Sequence, residues 1–139
     1  MKILQFAFSG EADNPYLPEN IVADSVVYTG THDNDTTVGW YNAMDQRQQE
    51  HVLAYLREHD KQEQQQVPNI LNALIEMAMA SKASLAIIPM QDILALDTTH
   101  RMNTPGTASG NWYWRFNWQQ LTPELKDFIA DVISRTGRH

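Results

Sequence analysis

Three short apolar runs, each ending in a polar corner and the second and third followed by helical periodicity, organise this sequence. Residues 3–8, ILQFAF, alternate as a strand does and run into the turn-forming SGEADNP of residues 9–15. Val26-Val27-Tyr28 is a compact run of the kind found in a strand buried on both faces of a parallel sheet. Residues 85–88, LAII, closed by Pro89, read the same way.

The first run is followed by an irregular stretch in which Pro15 and Pro18 prevent a regular helix, and after the second run the period changes to that of a helix. A short helix is expected from about Val38 to Tyr41 or Asn42, and a longer one from a cap at Asp45 to about His59, with Val52, Tyr55, Leu56 and His59 on one side. Residues 61–66, KQEQQQ, are a solvated stretch without apolar anchors. Pro68 suits the first turn of a third helix, whose Ile70, Leu71, Leu74, Ile75, Met77, Ala78 and Met79 call for burial on more than one side. Residues 90–96 have room for a helical turn or two. A last helix starts at Thr122-Pro123, carries Leu125, Phe128, Ile129, Val132 and Ile133 as its stripe, and ends at Gly137.

Buried strands separated by helices imply an α/β fold with a parallel sheet of βα units. A closed (β/α)8 barrel takes about 250 residues, so 139 residues could supply three of its eight units. The expected organisation is therefore one segment, residues 1–139, from the last three βα units of a TIM-type barrel. A strand pattern beginning at the third residue gives the same expectation of a chain that starts inside a fold.

The candidate chemistry follows from this pattern. Residues 25–41, SVVYTGTHDNDTTVGWY, run from a strand through a polar corner into a helix, and loops at the carboxyl ends of parallel strands are where ligands bind. Asp35 and Thr36 read first as helix caps, whereas His32 and Asp33 stand too early to cap and are the first functional candidates. Residues 100–116 form a second region of interest, with two glycines, two asparagines and Trp112, Tyr113, Trp114 and Phe116 at its end. Aromatic faces beside amide and guanidinium donors suit a sugar, whose C–H faces are ringed by hydroxyls. The alternation of Trp112, Trp114 and Phe116 reads first as a short strand with one face in the core, leaving Asn103 the better cleft residue.

Composition narrows the alternatives. Ten Lys and Arg against 17 Asp and Glu, a net charge of -7, repel a phosphate backbone, so no nucleic-acid partner is expected. No apolar run approaches the roughly 20 residues of a membrane span, and the first residues lack the flank and cleavage site of a signal peptide. The lack of cysteine removes disulfides and thiolate metal sites, and fits a cytoplasmic setting. Asp33-Asn34-Asp35 opens like a calcium loop, but Val38 and Met44 stand where glycine and glutamate would be needed. His32, His51, His59, His100 and His139 show no zinc-site spacing, and no phosphate-binding or serine-hydrolase motif occurs.

Together, THDNDTTVGWY at residues 31–41, QDILAL at 91–96 and RMNTPGT at 101–107 resemble the C-terminal part of the amylomaltases, the 4-α-glucanotransferases of glycoside hydrolase family 77. KILQFAF and NPYLPEN, upstream of the HDND motif, extend the resemblance in the family's order over nearly the whole chain. It implies a cytoplasmic enzyme built on a (β/α)8 barrel that moves maltosyl or glucanosyl units between α-1,4-glucans without a cofactor, by retaining double displacement. Asp33 resembles the family's third catalytic carboxylate, which holds sugar hydroxyls in the donor subsite, and His32 the histidine that binds the same sugar. Asn103, Gln91 and Arg101 are expected to line or orient the cleft. The family's nucleophile and acid/base lie on earlier strands, and nothing here resembles their motifs. The chain alone is thus expected to be inactive, and its open strand edges to favour self-association. A maltodextrin-binding or interaction module that kept the sugar loop without the reaction is the alternative, with a remnant that binds no ligand as a third reading.

Overall fold

A computed structural model describes residues 1–59 and 69–138. The expectations for KQEQQQ, Pro68 and His139 fall outside them. Three parallel strands, β1 (Lys2–Ile3), β2 (Val26–Tyr28) and β3 (Leu85–Ile87), form one sheet in the order β1-β2-β3. Val27 is in register with Lys2 on one side and Ala86 on the other. This is the parallel α/β sheet that the strand–helix alternation implies.

The first helix, α1 (Thr37–Asn42), starts where Thr36 Oγ1 accepts the Gly39 N–H at 3.1 Å. In α2 (Gln46–Glu58), Asp45 and Gln48 close a reciprocal capping box. Asn69 caps α3 (Ile70–Ala80), and α4 (Met90–Ile93) is a single turn after Pro89. Thr122 caps α5 (Pro123–Thr136), which ends at a left-handed Gly137 with φ 74°. The caps at Thr36, Asp45 and Thr122 and the stop at Gly137 were legible in the sequence, whereas the Asn69 cap was not. The core lies between the sheet and α3, where Leu4, Ile21, Val27, Leu74, Ala78 and Ala83 are buried together. Arg138 closes this layer by donating to the carbonyls of Met79, Ser81 and Ala83, the turn that feeds β3.

Three expectations need correction. The first strand is two residues long, not six: after Ile3 the chain makes a 3-10 turn over Leu4–Phe6. The turn puts Leu4 in the core, leaves Phe6 46% exposed against Tyr16, and swings Gln5 inward. There Gln5 Nε2 donates to the Asp35 carbonyl at 3.0 Å. The approach requires Gly30, since a Cβ there would come 2.5 Å from Gln5 Nε2.

Second, β3 is not buried on both faces. Its Leu85 and Ile87 are 51% and 42% exposed, on the side of the sheet away from Val27 and Leu74. Helices cover one face only among the described residues, so a pattern suited to two covered faces here meets one.

Third, Trp112, Trp114 and Phe116 form no strand and no core. Trp112 adopts φ 66°, which breaks the alternation a strand requires. Trp114 and Phe116 instead stack on one another, with centroids 5.9 Å apart.

Candidate functional site

The polar corner after β2 is held from behind by a buried carboxylate. Asp92, 1% exposed in α4, accepts Thr29 Oγ1–H at 2.6 Å, the Thr37 N–H at 2.8 Å and Thr37 Oγ1–H at 2.8 Å. Thr29 directly follows β2 and Thr37 begins α1, so one carboxylate ties both ends of the intervening loop to α4. Burial pushes the Asp92 carboxyl above the usual carboxylate range, and the three hydrogen bonds pull the other way.

Within the loop, Asn34 Oδ1 accepts the Thr31 N–H at 2.9 Å and its hydroxyl at 2.7 Å. The resulting tight turn presents His32 and Asp33 outward, with His32 Nε2 3.4 Å from Asp33 Oδ2 and both side chains about half exposed. Asp35, expected as a cap, has other work. Its carboxylate accepts the Thr36 N–H and the Thr98 hydroxyl, each at 2.8 Å, clasping the loop to the turn before Arg101. A side chain at Gly39 would collide with both Thr98 Oγ1 and that carboxylate.

Residues 101–103 complete the arrangement from the opposite side. Arg101 donates to the Asp33 carbonyl at 3.0 Å and to the Asn103 carbonyl at 3.3 Å. Asn103 Nδ2 donates to Asp33 Oδ1 at 2.7 Å, a charge-assisted bond that fixes the carboxylate's rotation. Gln91, nearly buried, donates to the His100 carbonyl at 3.2 Å. Four of the five predicted residues, His32, Asp33, Gln91 and Arg101, line one open cavity of about 360 Å³ at the carboxyl end of the strands, together with Trp112. Asn103 is not part of its wall, and meets the site through Asp33. Among the described residues no cluster of histidine and carboxylate side chains could hold a metal ion, and no helix is long and apolar enough to cross a membrane.

The sequence reading missed Asp92 as the organiser of the loop, Asp35 as a clasp, and Trp112 as part of the cavity wall. No local signal marks Asp92, because its partners lie 55 and 63 residues away. Trp112 had one: Gly110-Asn111 just before it favours a turn over a continuing strand.

Comparison with known proteins agrees with these motifs. The sequence profile of glycoside hydrolase family 77, described as 4-alpha-glucanotransferase, matches residues 1–122. The 4-alpha-glucanotransferase of Thermus thermophilus is 47% identical over 99% of this chain and 28% of its own length. That of Synechocystis sp. is 45% identical over 99% and 26%, and the chloroplastic/amyloplastic enzyme of Solanum tuberosum 44% over 99% and 23%. An amylomaltase from Streptococcus agalactiae, solved in complex with acarbose, superposes with a TM-score of 0.87 at 30% identity, over 99% of this chain and 27% of that one. The chain thus spans about a quarter of the length of these relatives. With the family profile, the sequence identities and the superposed fold all in agreement, the chain belongs to glycoside hydrolase family 77, the 4-alpha-glucanotransferases.

Proposed function

We propose that this chain forms the last three βα units of a (β/α)8 barrel that transfers maltosyl or glucanosyl units between α-1,4-glucans in the cytoplasm, without a cofactor. The observation that carries this reading is the Asp33 carboxylate, held by Asn103 and flanked by His32, at the mouth of the cavity above the strands. One Asp33 oxygen is occupied by the Asn103 amide and the other lies toward His32. A carboxylate so oriented can accept hydrogen bonds from two vicinal sugar hydroxyls. Those bonds strengthen as the ring flattens and positive charge grows at the anomeric carbon, so they act on the transition state more than on ground-state binding.

The nucleophile that takes the glycosyl unit, and the acid/base that protonates the leaving oxygen and later deprotonates the acceptor hydroxyl, come from outside these 139 residues. In this reading His32 and Gln91 contact the sugar, while Arg101 and Asn103 set the position of Asp33. The complex with acarbose of the Streptococcus agalactiae relative supports an oligosaccharide as the ligand class.

The test is glucose release from maltotriose by two proteins: the 139-residue chain, and a hybrid in which it replaces the matching segment of the Thermus thermophilus enzyme. The chain alone should release none. The hybrid should release glucose, and Asp33→Asn should lower its kcat by about 10²–10³-fold with little change in KM. Release by the chain alone that disappears in Asp33→Asn would overturn this division of roles. Binding of maltoheptaose by the chain alone, without turnover in the hybrid, would favour a binding module.

A further inference from the structure

Four aromatic side chains stand close together at residues 112–116, and the structure assigns them different work. Trp114 Nε1 donates to His100 Nδ1 at 3.0 Å, and Phe116 stacks on the Trp114 ring. Tyr113 is 78% exposed and does not line the cavity. Trp112 alone of the four lines it. Its ring lies 5.1 Å from the His32 imidazole at a 41° tilt, and it remains 56% exposed.

The backbone that delivers Trp112 is braced. Asn111 Oδ1 accepts the Thr104 N–H at 2.8 Å, and Asn111 Nδ2 donates to Thr107 Oγ1 at 2.9 Å, so residues 104–111 close into a compact loop. The Trp112 N–H then donates to the Met102 carbonyl at 2.7 Å, next to the Arg101 and Asn103 that hold Asp33. Trp112 is held at φ 66°, a conformation that a bulky side chain adopts only when its surroundings impose it. A large apolar ring, half exposed on a braced and strained backbone beside His32, is a preorganised flat surface that no other described side chain covers on its cavity side.

We propose that Trp112 is a substrate-binding wall of the Asp33 cavity, stacking its indole face on the apolar C–H face of a glucose ring whose hydroxyls reach the His32–Asp33 side. This rests on the reading of the site as a glucan cleft. An indole covers one pyranose ring, its quadrupole favours the polarised C–H groups, and it is sequence-blind along an α-1,4-glucan, in which every unit offers the same face.

The hybrid enzyme carrying the full chain tests this with two variants. Trp112→Phe keeps a ring, and Trp112→Asn removes it while tolerating the left-handed backbone. Acarbose binding is followed by calorimetry, turnover of maltotriose by glucose release, and folding by thermal melting. Trp112→Asn should weaken acarbose binding and raise KM by about tenfold, with kcat within about threefold, because stacking is made equally in ground and transition states. Trp112→Phe should recover most of the binding. If Trp112→Asn leaves acarbose binding and KM unchanged, the proposal is wrong. If it lowers kcat with binding intact, Trp112 acts only by positioning His32, and the proposal is again wrong. A hybrid that folds but neither turns over maltotriose nor binds acarbose with Trp112 in place overturns the glucan reading itself, and this proposal with it.

Discussion

Replacing Asp92 by alanine would test how much of the site depends on one buried carboxylate. The change strands three donors at Thr29 and Thr37, which are 0% and 1% exposed. Hydrogen bonds to a charged group contribute about 1.5–3 kcal/mol each, and a stranded buried donor costs about 1–3 kcal/mol. Against this, removing a buried carboxylate relieves a desolvation cost of several kcal/mol, leaving a net loss of about 3 kcal/mol. Asp92→Asn retains an acceptor for the Thr37 N–H and can donate to a hydroxyl, so its loss should be about 1 kcal/mol. Urea unfolding of the 139-residue chain, followed by far-UV circular dichroism at several protein concentrations, measures both.

The pH dependence has a defined sign. Burial holds the Asp92 carboxyl above its ordinary range, so the folded state binds this proton more tightly than the unfolded chain does. Its contribution to stability is full below the ordinary carboxylate value of about 4 and is lost as pH rises through the raised folded value. The stability of the wild type relative to Asp92→Asn should therefore fall across that window. An Asp92→Ala loss below about 1 kcal/mol with an unchanged denaturant slope would refute the idea that this carboxylate organises the loop.

Other substitutions probe the same assembly. Gly39→Ala should destabilise the chain by about 1–3 kcal/mol by forcing Thr98 and Asp35 apart, read from the same urea midpoints. Asn103→Ala in the hybrid should lower kcat about tenfold or more with a smaller change in KM, since it frees the rotation of Asp33 without removing a wall of the cavity. Sizing chromatography of the isolated chain should show oligomers, because among the described residues Leu85 and Ile87 are exposed and β1 and β3 each pair on one side only; a stable monomer would count against the proposed open set of three βα units.

How far the sequence alone could be read depends on how local each determinant is. The caps at Thr36, Asp45 and Thr122 and the stop at Gly137 rest on contacts within a few residues, and each was readable in place. Helix α3 was legible because its apolar surface is too broad for one-sided burial. The shortening of β1 was not, since Gln5 turns inward to reach partners 30 and 32 residues away. The functional loop divides the same way. His32 and Asp33 stood out as residues too early to cap α1, and QDIL and RMNTPGT stood out by family resemblance. That Asn103 would hold the Asp33 carboxylate across 70 residues, or that Trp112 would leave the expected strand for the cavity, depends on loop closure that no periodicity encodes.

The Arg138 guanidinium adds a consequence in time. It satisfies the carbonyls at the end of α3 and in the turn into β3 from as far as 59 residues downstream. A ribosome adding about 5–20 residues per second needs about 3–12 s to cover that distance. Counted from Ile87, where β3 is complete in sequence, 51 residues remain, so for about 3–10 s α3 and β3 both exist while the turn between them still lacks its donor. The turn into β3 is thus secured late, well after the loop that carries Asp33 has been synthesised.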